Sequence, residues 1–384
     1  MTATKAGLLL DAGSYTLAET GVGGIGLRVA ELAETLAGRF AVRVAVDDPS
    51  DAIATGDAQV VPRDDWARLL AESHAVFFFD LPDRARLEEA ASARRVVVSE
   101  NAAPIEQLEY PSLRADPDAA GKHAGMVAAY RRQLEVSHHF LARSHVERAT
   151  LVANLCLAGR LTPADLGRSR TLDHLVSLVP IGFGAGALKA ATTSEAAPAA
   201  DFLWTGGLWA YFAPELLVEA VALCHGNGVP VTAEFLYARP EPDNAAILSG
   251  LRDRVAAEGL RDAVRFRAGP LRHRERDAVI KGARALVCVA RPGVENQTCV
   301  RLRARDSRLY GVPAIVDPHG PTAEELRADG LAHVLPETTA ERLADALATA
   351  ARRPRRPVPG DLGARYRYDN TLEAFMTWLA VTLR

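Results

Sequence analysis

A chain of 384 residues, 48% hydrophobic and 24% charged, has enough material for two globular domains with sizeable cores. Its formal net charge of −3 excludes a global pull toward nucleic acid or an anionic membrane, so any basic ligand surface is local. The four cysteines (Cys156, Cys224, Cys288, Cys299) are scattered without a C-x-x-C pair, which speaks against a zinc site or disulfide framework and for a cytoplasmic protein with reduced thiols. No signal peptide opens the sequence, and no apolar run approaches membrane-spanning length.

In chain order, G-L-L-L-D at 7–11 reads as a buried strand, followed by a loop, G-V-G-G-I-G at 21–26 and a helix over about 27–36. Strands are predicted at 41–46, 75–79 and 95–98, helices at 127–134 and after Ser144, and short strands at 140–143 and 178–180. Such alternation predicts a doubly wound α/β half over residues 1–188. The Ala/Thr/Ser/Pro-rich stretch 189–201 reads as a surface linker. A second α/β half over 202–364 follows, with strands at 202–205, 231–236, 264–266, 285–290 and 314–316, a helix at 215–224 and a last strand near 333–335. The basic run at 352–359 reads as an extended crossing, and residues 365–384 carry a final amphipathic helix over about 370–383.

Two stretches carry chemistry. Gly21, Gly23 and Gly26 have the spacing of a dinucleotide fingerprint, with Asp47 about 20 residues on. In such fingerprints the glycines follow the first strand at once, whereas here A-G-S-Y-T-L-A-E-T intervenes. A nicotinamide or flavin site and a plain glycine turn therefore stand behind a third reading, a mobile glycine loop. Its amides, at Gly24 and Gly26, can approach a phosphate or a substrate hydroxyl unobstructed.

The second stretch is 295–311, E-N-Q-T-C-V-R-L-R-A-R-D-S-R-L-Y-G. It places Glu295 at the C-terminal end of a buried parallel strand, with Thr298 as cap of the helix that follows and Gly311 as its end. In an open α/β sheet the crevice outside the strand ends is where ligands bind. Several arginines on one helix are costly to bury, so they are either solvated or facing an anion.

Glu295, Arg301, Arg303, Asp306, Gly311 and Pro313 resemble the pattern E-T-x-x-S-x-R-T-R-x-x-D-x-x-x-x-G-x-P of retaining GT-B glycosyltransferases of the family-four branch. Leu302 and Cys299 depart from it. W-T-G-G-L-W at 204–209 with Pro214, H-F-L at 139–141, A-G-R-L-T-P at 158–163 and V-P-I-G at 179–182 are similar to further parts of that branch. The resemblance implies two Rossmann-like domains with a cleft between them and a C-terminal helix that crosses back to the N-terminal domain. It implies transfer of a sugar from a UDP-, GDP- or dTDP-sugar to a small-molecule or glycan acceptor, without a metal or other cofactor. A bacterial natural-product or surface-polysaccharide setting fits, and a homodimer is compatible with it.

Carried onto this sequence, the resemblance assigns donor-sugar hydroxyls to Glu295 and the ribose diol to Asp306. The diphosphate goes to Arg301, whose guanidinium can form bidentate charged hydrogen bonds. Arg303 is left between that duty and a structural ion pair. Gln297, Thr298 and Cys299 flank the donor. The second domain's first connection carries Gly206 and Gly207 but no basic residue, so compensating charge is sought from Arg239, Arg272 or Arg291. Glu100 and Asn101 stand where an acceptor would be oriented or deprotonated, with plain backbone capping as the equal alternative. His138 and His139 read as packing, and His273 as a residue against which a nucleoside can stack. A sugar-nucleotide epimerase or hydrolase on the same fold, or a nicotinamide-dependent oxidoreductase using the glycines at 21, 23 and 26, are the competing activities.

Overall fold

The computed structural model describes residues 5–100, 108–353 and 361–384. Asn101 and most of the basic run 352–359 fall outside them. The first half of the chain runs β1 (Gly7–Asp11), α1 (Gly24–Ala37), β2 (Ala41–Val46), β3 (Gln59–Pro62), α2 (Trp66–Ala71), β4 (Ala75–Phe79), α3 (Arg84–Ser92), β5 (Val96–Glu100), α4 (Pro111–Arg114), α5 (Ala119–Val136), β6 (His139–Ala142), α6 (His145–Leu157), α7 (Pro163–Arg168), β7 (Val176–Leu178) and α8 (Ala185–Thr193). The second half runs β8 (Phe202–Trp204), α9 (Pro214–Gly226), β9 (Ala233–Phe235), α10 (Ala245–Ala257), β10 (Val264–Phe266), α11 (His273–Gly282), β11 (Ala285–Cys288), α12 (Val294–Thr298), α13 (Arg303–Tyr310), β12 (Ala314–Val316), α14 (Gly320–Ala328), β13 (Ala332–Val334) and α15 (Ala340–Arg352). Three short helices follow: α16 (Leu362–Tyr366), α17 (Tyr368–Thr371) and α18 (Glu373–Thr382).

Two compact units result, Met1–Pro104, Ala120–Lys189 and Ala364–Arg384 in one, Ile105–Ala119 and Ala190–Gly363 in the other. The first holds a seven-stranded sheet in the order β3-β2-β1-β4-β5-β6-β7, the second a six-stranded sheet in the order β10-β9-β8-β11-β12-β13. The strand pairings are parallel throughout. Strand order reverses between β1 and β4 and between β8 and β11, the switch points at which doubly wound sheets open a crevice.

Parallel strands covered on both faces read as unbroken apolar runs. In β4, Phe77 and Phe79 enter one core with Leu8, Leu10, Val42 and Val44, while Val76 and Phe78 enter the opposite one with Leu9, Trp66 and Leu87. Residues 364–384 return to the first unit: Tyr368, Leu372, Phe375, Met376 and Leu379 join the core of Leu8 and Phe77, with Phe375 edge-on to Phe77 at 5.7 Å. His139 packs against this returning helix, 4.1 Å from the Trp378 ring, and burial holds its pKa down to about 3.

In the stretch 189–201, where the units part at 189/190, α8 runs to Thr193, Lys281 Nζ donates to the carbonyl of Ala191 at 2.5 Å and to that of Ser194, and Ala197 N donates to Ala278 O at 3.0 Å. Two sequence expectations need correction. Helix α1 starts three residues early, with Gly23 at its N-cap, so Gly24 and Gly26 form its first turn instead of a preceding loop. Thr298 caps nothing; it lies inside α12 and donates to Val294 O at 2.9 Å, while α13 begins after Leu302 without a side-chain cap. Gly311 ends α13 in the left-handed conformation, φ 63°.

Candidate functional site

The switch point of the second sheet brings the connection after β8 beside the one after β11. Thr205, Gly206 and Gly207 leave β8, and Glu295 leaves β11 within α12. A Cβ on Gly206 would fall 1.8–2.2 Å from the guanidinium of Arg303. Glycine is therefore what lets that side chain lie on the backbone of the connection.

Four arginines between 301 and 308 are buried, Arg301, Arg303, Arg305 and Arg308. Three of them meet carboxylates. Arg308 pairs with Asp329 at 2.9 Å and Glu325 at 2.7 Å. Arg305 meets Asp306 at 3.0 Å, and Arg276 of α11 closes on the same carboxylate at 2.5 Å. Arg301 donates to Asp317 Oδ2 at 3.1 Å and to Asn296 Oδ1 at 2.5 Å. Asp317 is a hub that also accepts from Ala290 N and from the Asn296 amide. Arg303 differs: it makes no hydrogen bond or ion pair among the described residues. Its guanidinium lies 4.2 Å from the Phe212 ring centre and 5.0 Å from that of Trp204, with Nη1 buried and unpartnered.

Glu295 is its counterpart. Only 5% exposed, its carboxylate has no hydrogen-bond partner at Oε2, and Arg301 Nη2 stays 3.9 Å away. Burial pushes its pKa up; Arg301 and Arg303 pull down, and Glu109 and Asp317 add to the rise. The buried Thr205 hydroxyl at the end of β8 is likewise unpartnered. Buried polar groups without partners are rare and costly, and a cation, an anion and a hydroxyl left so, on α13, on α12 and after β8, mark a candidate ligand site.

The two arginines differ in what holds them. Arg301, expected on the diphosphate, is held by Asp317 and Asn296. Arg303 is the cation without a carboxylate. Asp306, expected on a ribose, is 2% exposed with both oxygens engaged by Arg276 and Arg305; burial works against its charge, but those two arginines hold its pKa below the usual carboxylate range. Cys299 is buried, while Gln297 is exposed on α12. His273 starts α11, 3.5 Å from Asp277. Arg239 and Arg272 are exposed, and Arg291 is tied to the carbonyls of Ala210 and Phe212 and to Glu215.

In the first unit, Glu100 is a structural ion. Arg28 of α1 grips it with two 2.6 Å hydrogen bonds and also donates to Tyr368 Oη and to the carbonyls of Val179 and Pro180. Asn101 lies outside the described residues. Gly26 is required by close packing, since a Cβ there would sit 2.3 Å from Thr16 O. Asp47, which a dinucleotide site would place on a ribose, pairs with Arg63 at 2.7 Å. His138 Nδ1 accepts from Val97 N at 3.1 Å, a packing contact.

Sequence reasoning missed Thr205, Phe212 and Asp317 as parts of the site. Thr205 stands in the W-T-G-G-L-W stretch, Phe212 between it and Pro214, and Asp317 just past the end of β12, so position offered a signal for all three. It also missed Glu109, far away in sequence, for which it held none.

No family model and no curated protein sequence matches this chain. Solved structures share its fold. HepE from Anabaena, in complex with UDP and glucose, is 15% identical over 99% of each chain, with a TM-score of 0.60. A sucrose-phosphate synthase from Thermosynechococcus elongatus is 15% identical over 98% of this chain and 99% of its own, at 0.59. A glycosyltransferase involved in avilamycin A biosynthesis is 14% identical over 98% of both chains, at 0.58. The likeness establishes the fold, the two-Rossmann-domain GT-B type.

Proposed function

We propose that this chain is a glycosyltransferase that moves a sugar from a nucleoside-diphosphate sugar to a small-molecule or glycan acceptor. The observation that carries it is the solitary Arg303: three neighbouring buried arginines have carboxylates of their own, and this one lies on Gly206, near Glu295, without an anion. A diphosphate supplies that anion. Arg303, the Thr205 hydroxyl and the amides of Gly206 and Gly207 hold it, and Glu295 accepts hydrogen bonds from the donor hexose. Arg301 acts behind them, fixing Asn296 and the Phe212 ring.

In the reaction the bond from the anomeric carbon to the diphosphate oxygen breaks. A bond to the acceptor atom forms on the same face, and the acceptor's proton passes to the departing diphosphate. Positive charge aimed where negative charge develops is the largest contribution such a site makes, and here Arg303 supplies it in place of a metal ion. The full-length fold match to HepE, solved with UDP and glucose, supports a uridine donor as the first to try. The avilamycin enzyme supports a biosynthetic setting, natural-product or surface-polysaccharide, which we place in the cytoplasm.

Thermal shift with UDP, GDP, dTDP and ADP tests the donor site, because a ligand bound only to the folded state raises Tm. One of the four should stabilise the protein, and Arg303→Ala should abolish the shift. Failure of all four to shift Tm would overturn the assignment.

A further inference from the structure

We propose that residues 108–112 form a closed cover over the donor site, latched by Glu109, which the donor has to open. The inference rests on the donor reading above. Although these residues follow a strand of the first sheet in sequence, they fold with the second unit. Glu109 Oε1 accepts hydrogen bonds from Val294 N at 3.0 Å and Glu295 N at 3.2 Å, so its carboxylate sits on the backbone of the residue assigned to the donor hexose. The next side chain, Tyr110, packs edge-on against Trp209 at 5.5 Å and Tyr211 at 6.2 Å, in the connection that continues from Gly206 and Gly207. Ser112 fastens the far end, its amide at 2.7 Å and its hydroxyl at 2.9 Å from the Asp243 carboxylate. The segment thus touches both connections that carry the unpartnered groups.

Electrostatics make the latch responsive to a ligand. Glu109 faces Glu295, a like-charged neighbour that helps raise the Glu295 pKa after burial. An incoming diphosphate adds negative charge beside the same two carboxylates and favours the open state, whereas the empty site favours the closed one. A ligand shifts such an equilibrium only by its difference in affinity for the two states, and the closed fraction reduces its apparent affinity. The two amides that Glu109 holds are freed together with the site.

Two measurements on the full chain decide it, hydrogen exchange of the Val294 and Glu295 amides and titration with UDP, GDP, dTDP and ADP. In Glu109→Ala both amides should exchange faster, and the nucleotide that binds should do so about threefold to tenfold more tightly. Glu109→Gln keeps an acceptor for the amides but removes the charge, and should give a smaller gain. Ser112→Ala should move both readouts the same way, less than Glu109→Ala. Unchanged exchange in Glu109→Ala would overturn the latch. Weaker nucleotide binding in that variant would overturn the cover and make Glu109 a donor-holding residue instead. If no nucleotide binds the wild type or any variant, the donor reading falls and the opening step with it, while the exchange rates still decide whether Glu109 latches the segment.

Discussion

Each unit buries an arginine near a buried carboxylate, Arg28 with Glu100 at the end of β5 and Arg303 near Glu295 in α12, and the two arrangements are built in opposite ways. Arg28 donates five hydrogen bonds, two of them to Glu100, and so joins α1, β5, the turn after β7 and the returning C-terminal segment. Burial opposes its charge, but Glu100 more than offsets that and its pKa goes up. Arg303 donates none among the described residues and rests on two aromatic rings beside Glu295. A saturated buried pair gives rigidity and no vacancy for a ligand. An unsaturated one is a standing cost that a bound anion removes.

The largest effect should come from breaking the saturated pair. Arg28→Ala leaves Glu100 buried and alone, and should cost about 3–5 kcal/mol of stability, read as a lower denaturation midpoint. Arg303→Ala should do the reverse, leaving the midpoint unchanged or raised while turnover with the nucleotide sugar falls by about 10²–10³. An equal loss of stability in both variants would erase the distinction. Gly206→Ala, whose Cβ cannot coexist with the guanidinium of Arg303, should displace that side chain and weaken nucleotide binding by about tenfold or more, on the order of 1.4 kcal/mol.

The smallest effect concerns acid. Folded His139 stays neutral down to about pH 3, whereas unfolded histidine takes a proton near ~6.5. Between those values the unfolded chain binds more protons, so stability falls as pH drops below the upper limit, by about 1.4 kcal/mol per pH unit for this one group. The lowered Asp306 carboxylate acts in the same direction at lower pH. His139→Phe should flatten the upper part of that slope; an unaltered slope from pH 6.5 to 4 would show that His139 is not its source.

How much of this was legible in the sequence follows from the physics of each element. The strands Leu8–Leu10, Phe77–Phe79 and Ala285–Cys288 announce themselves because both faces are covered and no polar residue interrupts them. β3, Q-V-V-P, escapes because it is an edge strand, half exposed and closed by proline. The motif around 295–311 singled out this stretch, but not which of its arginines is paired. Pairing depends on Asp317, Asp329 and Arg276, which come from other elements, so the sequence alone could not show that Arg301 meets a carboxylate and Arg303 does not.

The interleaving of the two units bears on synthesis as well as on structure. The chain has passed to the second unit by residue 108 and changes unit again at 119/120, 189/190 and 363/364. While a ribosome makes it, the first sheet emerges early but waits for Tyr368, Phe375 and Leu379 to cover one of its faces. At about 5–20 residues per second, the stretch from 190 onward takes roughly ten to forty seconds. For that interval Leu8, Phe77 and their neighbours lack part of their cover, and Arg28 and Glu100 lack Tyr368. The nascent first unit is then the segment most in need of a chaperone, and the second can close before it.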